Sequence, residues 1–206
     1  TLRPMADMDL LVLKEQREIA IDVLIENGFT IKEQAPLKFL LHAFRSVTMV
    51  KDELEIDLHW SPLLESFGIK SEYLFWEKAI PVSVMNVEVE AFCPTDQLFH
   101  TLVHGFRYNP EPPIRWIADA IIILRSDSEI DWERLWFMSE LHKVNLQVKN
   151  ALLYLEKEFQ MEFAIEIAEE IRQSKGKRAE RILYKNALSV GWQFDHPETF
   201  YQTISM

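Results

Sequence analysis

The sequence predicts an α/β (α+β) fold: a mixed strand-and-helix unit over residues 1–93, then a helical domain over residues 94–206. Three patterns predict it. Leu10-Leu11-Val12-Leu13 is a short apolar run with Asp7 and Asp9 at its mouth, which reads as a strand. Residues 54–60 alternate: Glu55, Asp57 and His59 share one parity, Ile56, Leu58 and Trp60 the other, as in a half-buried strand. From Asp96 onward, apolar residues recur at helical spacing between short polar breaks, as in a bundle.

The elements follow in order. Residues 14–27 form a helix with Ile19, Ala20, Val23 and Leu24 as its apolar stripe, and Gly28 stops it. Residues 29–34 are short and extended. Residues 37–49 admit a helical patch, but the β-favouring Ser46-Val47-Thr48-Met49-Val50 argues for a strand through most of the segment. Lys51-Asp52-Glu53 then makes a polar hairpin turn into the Asp57 strand, which would bring His42 and Arg45 near that strand's acidic face. Residues 63–77 are helical in patches. Residues 79–92 are extended, with Asn86 at a turn, and either complete the first sheet or bridge the two halves. Thr95 caps the first helix of the second half, with Asp96 in its first turn. Helices follow over 114–124, 132–141 (capped by Ser128 or Asp131), 144–159, 163–173 and 178–190, and a stiff proline-rich loop spans 108–113.

Composition narrows the function. Hydrophobic residues make up 48% of the 206 and charged residues 27%, with 13 Phe and 6 Trp, so a substantial core is expected. The 22 Lys and Arg face 33 Asp and Glu, a formal charge of -11, which argues against a nucleic-acid partner and for a small molecule or a protein. The lone Cys93 excludes an internal disulfide and a cysteine-rich zinc site. No apolar run reaches the length of a membrane span and no leader is visible, so the expected compartment is the cytoplasm.

The acidic residues carry the chemistry. A period of two sets Asp7 and Asp9 on one strand face, where they repel unless a divalent cation lies between them. Asp57 joins them if its strand lies alongside, and three carboxylates can hold one or two Mg²⁺ (or Mn²⁺) ions against a nucleoside triphosphate. Arg-Pro-Met-x-Asp-x-Asp-Leu-Leu-Val at residues 3–12 resembles the metal-binding segment of the nucleotidyltransferase superfamily, whose palm-like mixed sheet carries an Asp-x-Asp pair and a later carboxylate. More narrowly, residues 1–160 are similar to a bacterial family of uncharacterised nucleotidyltransferases. Asp7, Asp9, Ile56-Asp57-Leu58-His59-Trp60, His100, His104 and Trp116 to Asp119 carry the likeness. The resemblance implies a nucleotidyltransferase with Asp7, Asp9 and Asp57 as metal ligands, an NTP as substrate and an unknown acceptor. That superfamily also uses a small-residue phosphate-gripping turn before the Asp pair. The sequence starts too late to include one, as if N-terminally truncated.

Other residues are candidates by position. Arg3, Lys14, Arg45 and Lys51 are the cations nearest to the acidic segments and could grip phosphates; His59 could ligate a metal or hydrogen-bond beside Asp57. His100 and His104 share a helical face, and Asp119 could close a His–Asp pair with them, either as a polar brace or as a substrate contact. Thr101 follows His100 where a zincin needs Glu, so that metalloprotease class is excluded. Arg107 and Arg115 read as solvated loop residues, His42, His142 and His196 have no companions, and the charges from Arg172 to Lys185 make a solvated helix face. Alternatives to a transferase are an inactive nucleotidyltransferase-fold binding or regulatory module, a partner-binding protein such as half of a toxin–antitoxin-like pair, and a hydrolase on the same carboxylates.

Overall fold

Strand β4 (Leu54–His59) is an inner strand of a four-stranded sheet, which runs in the order β1 (Met8–Leu11), β4, β3 (Ser46–Lys51) and β2 (Thr30–Ile31). The computed structural model describes residues 8–63, 72–105, 114–176 and 180–182. The chain forms two compact units, Thr1–Leu74 and Phe75–Met206. The expected boundary at residue 93 is a change of secondary structure, and it lies inside the second unit.

In the first unit, β1 (Met8–Leu11) runs parallel to β4, while β3 (Ser46–Lys51) and the two-residue β2 (Thr30–Ile31) pair antiparallel. The hairpin between β3 and β4 turns on Asp52, whose φ of 52° is a conformation Asp tolerates. Alternation then sorts the side chains. Val47 and Met49 of β3 and Leu58 of β4 go inward with Ile21, Leu40 and Trp60 to form the core. Ser46, Thr48, Asp57 and His59 take the other face.

Helix α1 (Arg17–Glu26) follows a single 3-10 turn, Lys14–Gln16, and ends before Gly28, which has φ 88°. Its buried face differs from the expected stripe. Ile21 is fully buried with Ala20 and Leu24 against it, whereas Ile19 and Val23 are exposed. The turn that packs is Arg17, Ala20/Ile21 and Leu24, and the Arg17 guanidinium sits 5.7 Å from the centroid of the Trp60 ring. Residues 37–43 also depart from expectation: Leu37–Ala43 is helix α2, and only 46–51 is strand. Pro36 at the cap position and Leu37, Leu40 and Leu41 at i, i+3 and i+4 bring one helical face to the core, which outweighs the β propensity that begins at Ser46.

The second unit holds the second half of α3 (Glu72–Glu77), the hairpin β5 (Ile80–Val84) and β6 (Val87–Ala91), and helices α4 (Pro94–Gly105), α5 (Ile114–Arg125), α6 (Trp132–Leu141), α7 (Asn145–Phe159) and α8 (Ile165–Gln173). β5 and β6 form a separate two-stranded sheet, closed by Met85 and Asn86 at positive φ as a two-residue hairpin requires. Helix α4 packs against α5, α6 and α7, with Leu98, Phe99, Leu102 and Val103 buried. At Gly105 α4 lies close against α5: a methyl there would overlap Cβ and Cγ of Trp116. Asp96 stands in the first turn of α4 as expected, Thr95 is already inside that helix, and both also bind α6. Thr95 Oγ1 accepts from Asp131 N (2.9 Å), and Asp96 takes Arg134 Nε and Nη2 at 2.8 and 2.7 Å. Asp131 caps α6 by accepting from Arg134 N. No helix among the described residues is long and apolar enough to cross a membrane.

Asp96 is fully buried and Arg134 11% exposed, so Asp96→Ala leaves a sealed guanidinium without its carboxylate and should cost about 3–5 kcal/mol in urea unfolding. Replacing both partners (Asp96→Leu with Arg134→Met) should recover most of that loss. Burial between Phe75 and Phe99 lowers the His142 pKa from 6.5 to about 4. The unfolded chain therefore takes up a proton that the native imidazole refuses. His142 supports the fold fully above pH 6.5 and progressively less as pH falls toward 4. Unfolding free energy should drop by about 2 kcal/mol more between pH 7 and pH 5 in the parent than in His142→Gln.

Candidate metal centre

Parallel pairing of β1 with β4 sets Asp9 opposite Asp57 and Leu11 opposite His59, so both carboxylates emerge side by side on the face away from the core. Asp57 is in turn opposite Thr48 on β3. A transverse row results: Asp9, Asp57 and Thr48, continued by Lys32, whose backbone N donates to Thr48 O at 2.9 Å just past the end of β2.

Each member of this row is held. Thr48 is fixed on three sides: its carbonyl takes Lys32 N, its amide donates to Glu33 Oε1 at 3.0 Å, and its hydroxyl donates to Asp57 Oδ1 at 2.7 Å. The last bond occupies one oxygen of Asp57 and orients the other. His59 Nε2 lies 2.9 Å from Asp9 Oδ1, and the Asp9 side chain is 74% exposed. One ligating atom each from Asp9, Asp57 and His59 falls within 4.8 Å of the others, a spacing at which one cation can bind all three. Two anionic oxygens and an imidazole form a donor set that suits a divalent metal. This group can hold an ion.

Of the residues singled out from sequence, the structure brings Asp9, Asp57 and His59 together. Asp7 and Arg3 lie outside the described residues. Lys14 is exposed in the turn after β1, and Arg45 Nη1 donates to Ser61 Oγ and the Leu63 carbonyl at 3.4 and 3.5 Å. Lys51 binds the Asn27 carbonyl and stands over Phe29. His100 and His104 stack at 5.3 Å between ring centroids on α4, and Asp119 is on α5. Burial, the largest effect, raises the Cys93 thiol pKa, which suits a structural residue better than a nucleophile. Sequence inspection missed Thr48, Lys32 and Glu33. The two-residue turn at Asp52-Glu53 was a sufficient signal for Thr48, because counting back from it pairs residue 48 with residue 57.

The fold and this cluster define an α+β protein with a candidate metal centre on the open face of a mixed sheet. Residues 1–160 match the profile of a family described as "Uncharacterised nucleotidyltransferase", and the chain belongs to that family. No curated protein and no solved structure matches it.

If Thr48 orients Asp57 toward an ion, Thr48→Val should weaken Mn²⁺ binding about ten-fold in a calorimetric titration, with a smaller effect on thermal midpoint than Asp96→Ala. Asp57→Asn should abolish that binding.

Proposed function

We propose that this protein transfers a nucleoside monophosphate from a nucleoside triphosphate to a hydroxyl of a small molecule or a protein, with Mg²⁺ or Mn²⁺ bound by Asp7, Asp9 and Asp57. The observation that carries the proposal is the in-register pairing of Asp9 with Asp57 across β1 and β4. Family membership supports the reaction class. The donor set also fits the ion: carboxylate oxygens are the hard ligands Mg²⁺ selects, and a neighbouring imidazole is compatible with Mn²⁺. When bound, the ion offsets charge on the triphosphate and on the departing pyrophosphate and lowers the pKa of the acceptor hydroxyl.

The protein's own groups supply position and proton transfer. His59 holds Asp9 through Nε2, and Thr48 holds Asp57 through Oδ1, so both carboxylates meet a ligand without first being ordered. In the reaction the bond from the α-phosphorus to its bridging oxygen breaks, and pyrophosphate leaves with the electron pair. A bond from the acceptor oxygen to the same phosphorus forms. The hydroxyl proton passes to the Asp57 carboxylate or to water. Arg3 and Lys14, on either side of β1, are the proposed phosphate contacts in that segment; Arg45 is a third, by way of release from Ser61. His100, His104 and Asp119 are assigned to a polar brace within the helical part. The acidic balance of the chain favours a small-molecule or protein acceptor over a nucleic acid. The cytoplasm, which holds both triphosphates and Mg²⁺, is the compartment this chemistry calls for.

The test uses the full chain with each α-³²P-labelled nucleoside triphosphate and Mg²⁺ or Mn²⁺, in the presence of a cell extract. The expected result is label appearing on an acceptor, lost in Asp9→Asn and Asp57→Asn. Equal nucleotide binding by the parent and both variants would show the ligands to be wrong. Metal-dependent binding with no transferred label would instead identify a binding module.

A further inference from the structure

We infer that Lys32 is a further cation at this site, beside those proposed above, that takes the polyphosphate of the substrate, exchanging its Glu55 partner for phosphate when the nucleotide binds. The inference rests on the nucleotidyltransferase reading above and assigns within it a residue at the far end of the site row.

The placement comes from the sheet. Lys32 continues the row Asp9–Asp57–Thr48 on the open face, anchored by its backbone bond to Thr48 O. Its side chain crosses β3, and Nζ lies 2.9 and 3.0 Å from the two carboxylate oxygens of Glu55 on β4. Glu55 and Asp57 are same-face neighbours two residues apart, roughly 7 Å along a strand. The ammonium is thus one side-chain rotation from the space in front of Asp57. The hydrogen bond to Glu55, with the charges of Glu55, Asp57 and Glu33 added, raises the Lys32 pKa, so the group is cationic throughout the physiological range.

The pair is built to open. Lys32 and Glu55 side chains are 56% and 38% exposed, and an ion pair in such contact with water contributes little to stability. A triphosphate carries several negative charges and offers the ammonium more than one acceptor oxygen, so the exchange favours phosphate. Glu55 also has a purpose in the resting site. It keeps the lysine folded over the open face of β4, pre-positioned beside the carboxylates that would hold the metal. Lys51 has no such position, because its ammonium is turned to the Asn27 carbonyl.

The experiment compares the parent with Lys32→Gln, Lys32→Arg and Glu55→Gln, using Mn²⁺ alone and Mg²⁺ with inorganic tripolyphosphate as calorimetric probes, beside thermal midpoints. Lys32→Gln should bind the tripolyphosphate complex about ten-fold more weakly while holding Mn²⁺ as tightly as the parent or more so, because a repelling cation has been removed. Lys32→Arg should keep most of the tripolyphosphate affinity, and Glu55→Gln should raise it. Unchanged tripolyphosphate affinity in Lys32→Gln overturns the assignment. So does a parallel loss of both probes with a lowered midpoint, which would make Lys32 a pin between strands. A parent that binds Mn²⁺ but no tripolyphosphate overturns the transferase reading itself, an outcome separate from either.

Discussion

The register of β4 against its two neighbours is the constraint on which the first unit depends. Ile56 and Leu58, with Trp60 just beyond, turn toward the core, while Glu55, Asp57 and His59 turn away from it. A slip of one residue would exchange the two sets, exposing the core residues and burying three polar ones. The apolar face therefore enforces the position of the polar one. Asp57 stands where it does because Leu58 is buried, and Asp9 stands beside it because β1 pairs in parallel with that same strand.

An acidic face across β1 and β4 needs support, and each acidic group described there has it. Glu55 meets Lys32, Asp57 accepts from Thr48, and Asp9 lies against His59. Glu33 adds a less obvious device. Just past the end of β2, its side-chain oxygen takes the Thr48 amide in place of a backbone carbonyl, so the ladder ends without an orphaned donor. That bond, together with Lys32 N on the Thr48 carbonyl, fixes the backbone from which the Thr48 hydroxyl reaches Asp57. The segment at the end of the short strand β2 thus supports the row of Asp9, Asp57 and Thr48 although it sits at the far edge of the sheet.

Strands and turns with strong local chemistry were legible in the sequence. The alternation at 54–60, the polar turn at Asp52-Glu53 and the Gly28 stop each express a local steric rule, and each appears in the structure. Helix α6 over residues 132–141 was equally plain from its apolar spacing, and of its two cap candidates, Ser128 and Asp131, it is Asp131 that caps it. The failures arise where tertiary contact decides. Leu37, Leu40 and Leu41 become helical because one helical face meets the core, which β propensity further along the segment cannot report. Ile19 and Val23 looked like the buried stripe of α1 because apolar spacing does not reveal which of two adjacent faces packs; Arg17, whose guanidinium stands over the Trp60 ring, shares the packed one. For the site, residue parity foretold that Glu55, Asp57 and His59 share a face, while the expected pairing of Asp9 with Asp7 lies outside the described residues. Lys32 escaped notice because its reach across β3 depends on a strand of only two residues.

Two uses of aspartate in one chain separate structural from exchangeable carboxylates. Asp96 is sealed, with Arg134 donating to each of its oxygens, so no ligand has an oxygen to meet and no path to it. The cost of stripping water from both charges has been met once, on folding, and opening the pair would expose two unsatisfied ions. Asp9 and Asp57 are arranged oppositely. Asp9 remains largely in water, and Asp57 commits one oxygen to a neutral hydroxyl, a weaker claim on it than a cation would make. A charge kept hydrated by its surroundings can trade water for a metal ion at little desolvation cost, whereas a charge already neutralised in the interior cannot. Side-chain exposure and the charge of the existing partner, more than the presence of carboxylates, distinguish the open face of the sheet as the place where ligand chemistry is possible.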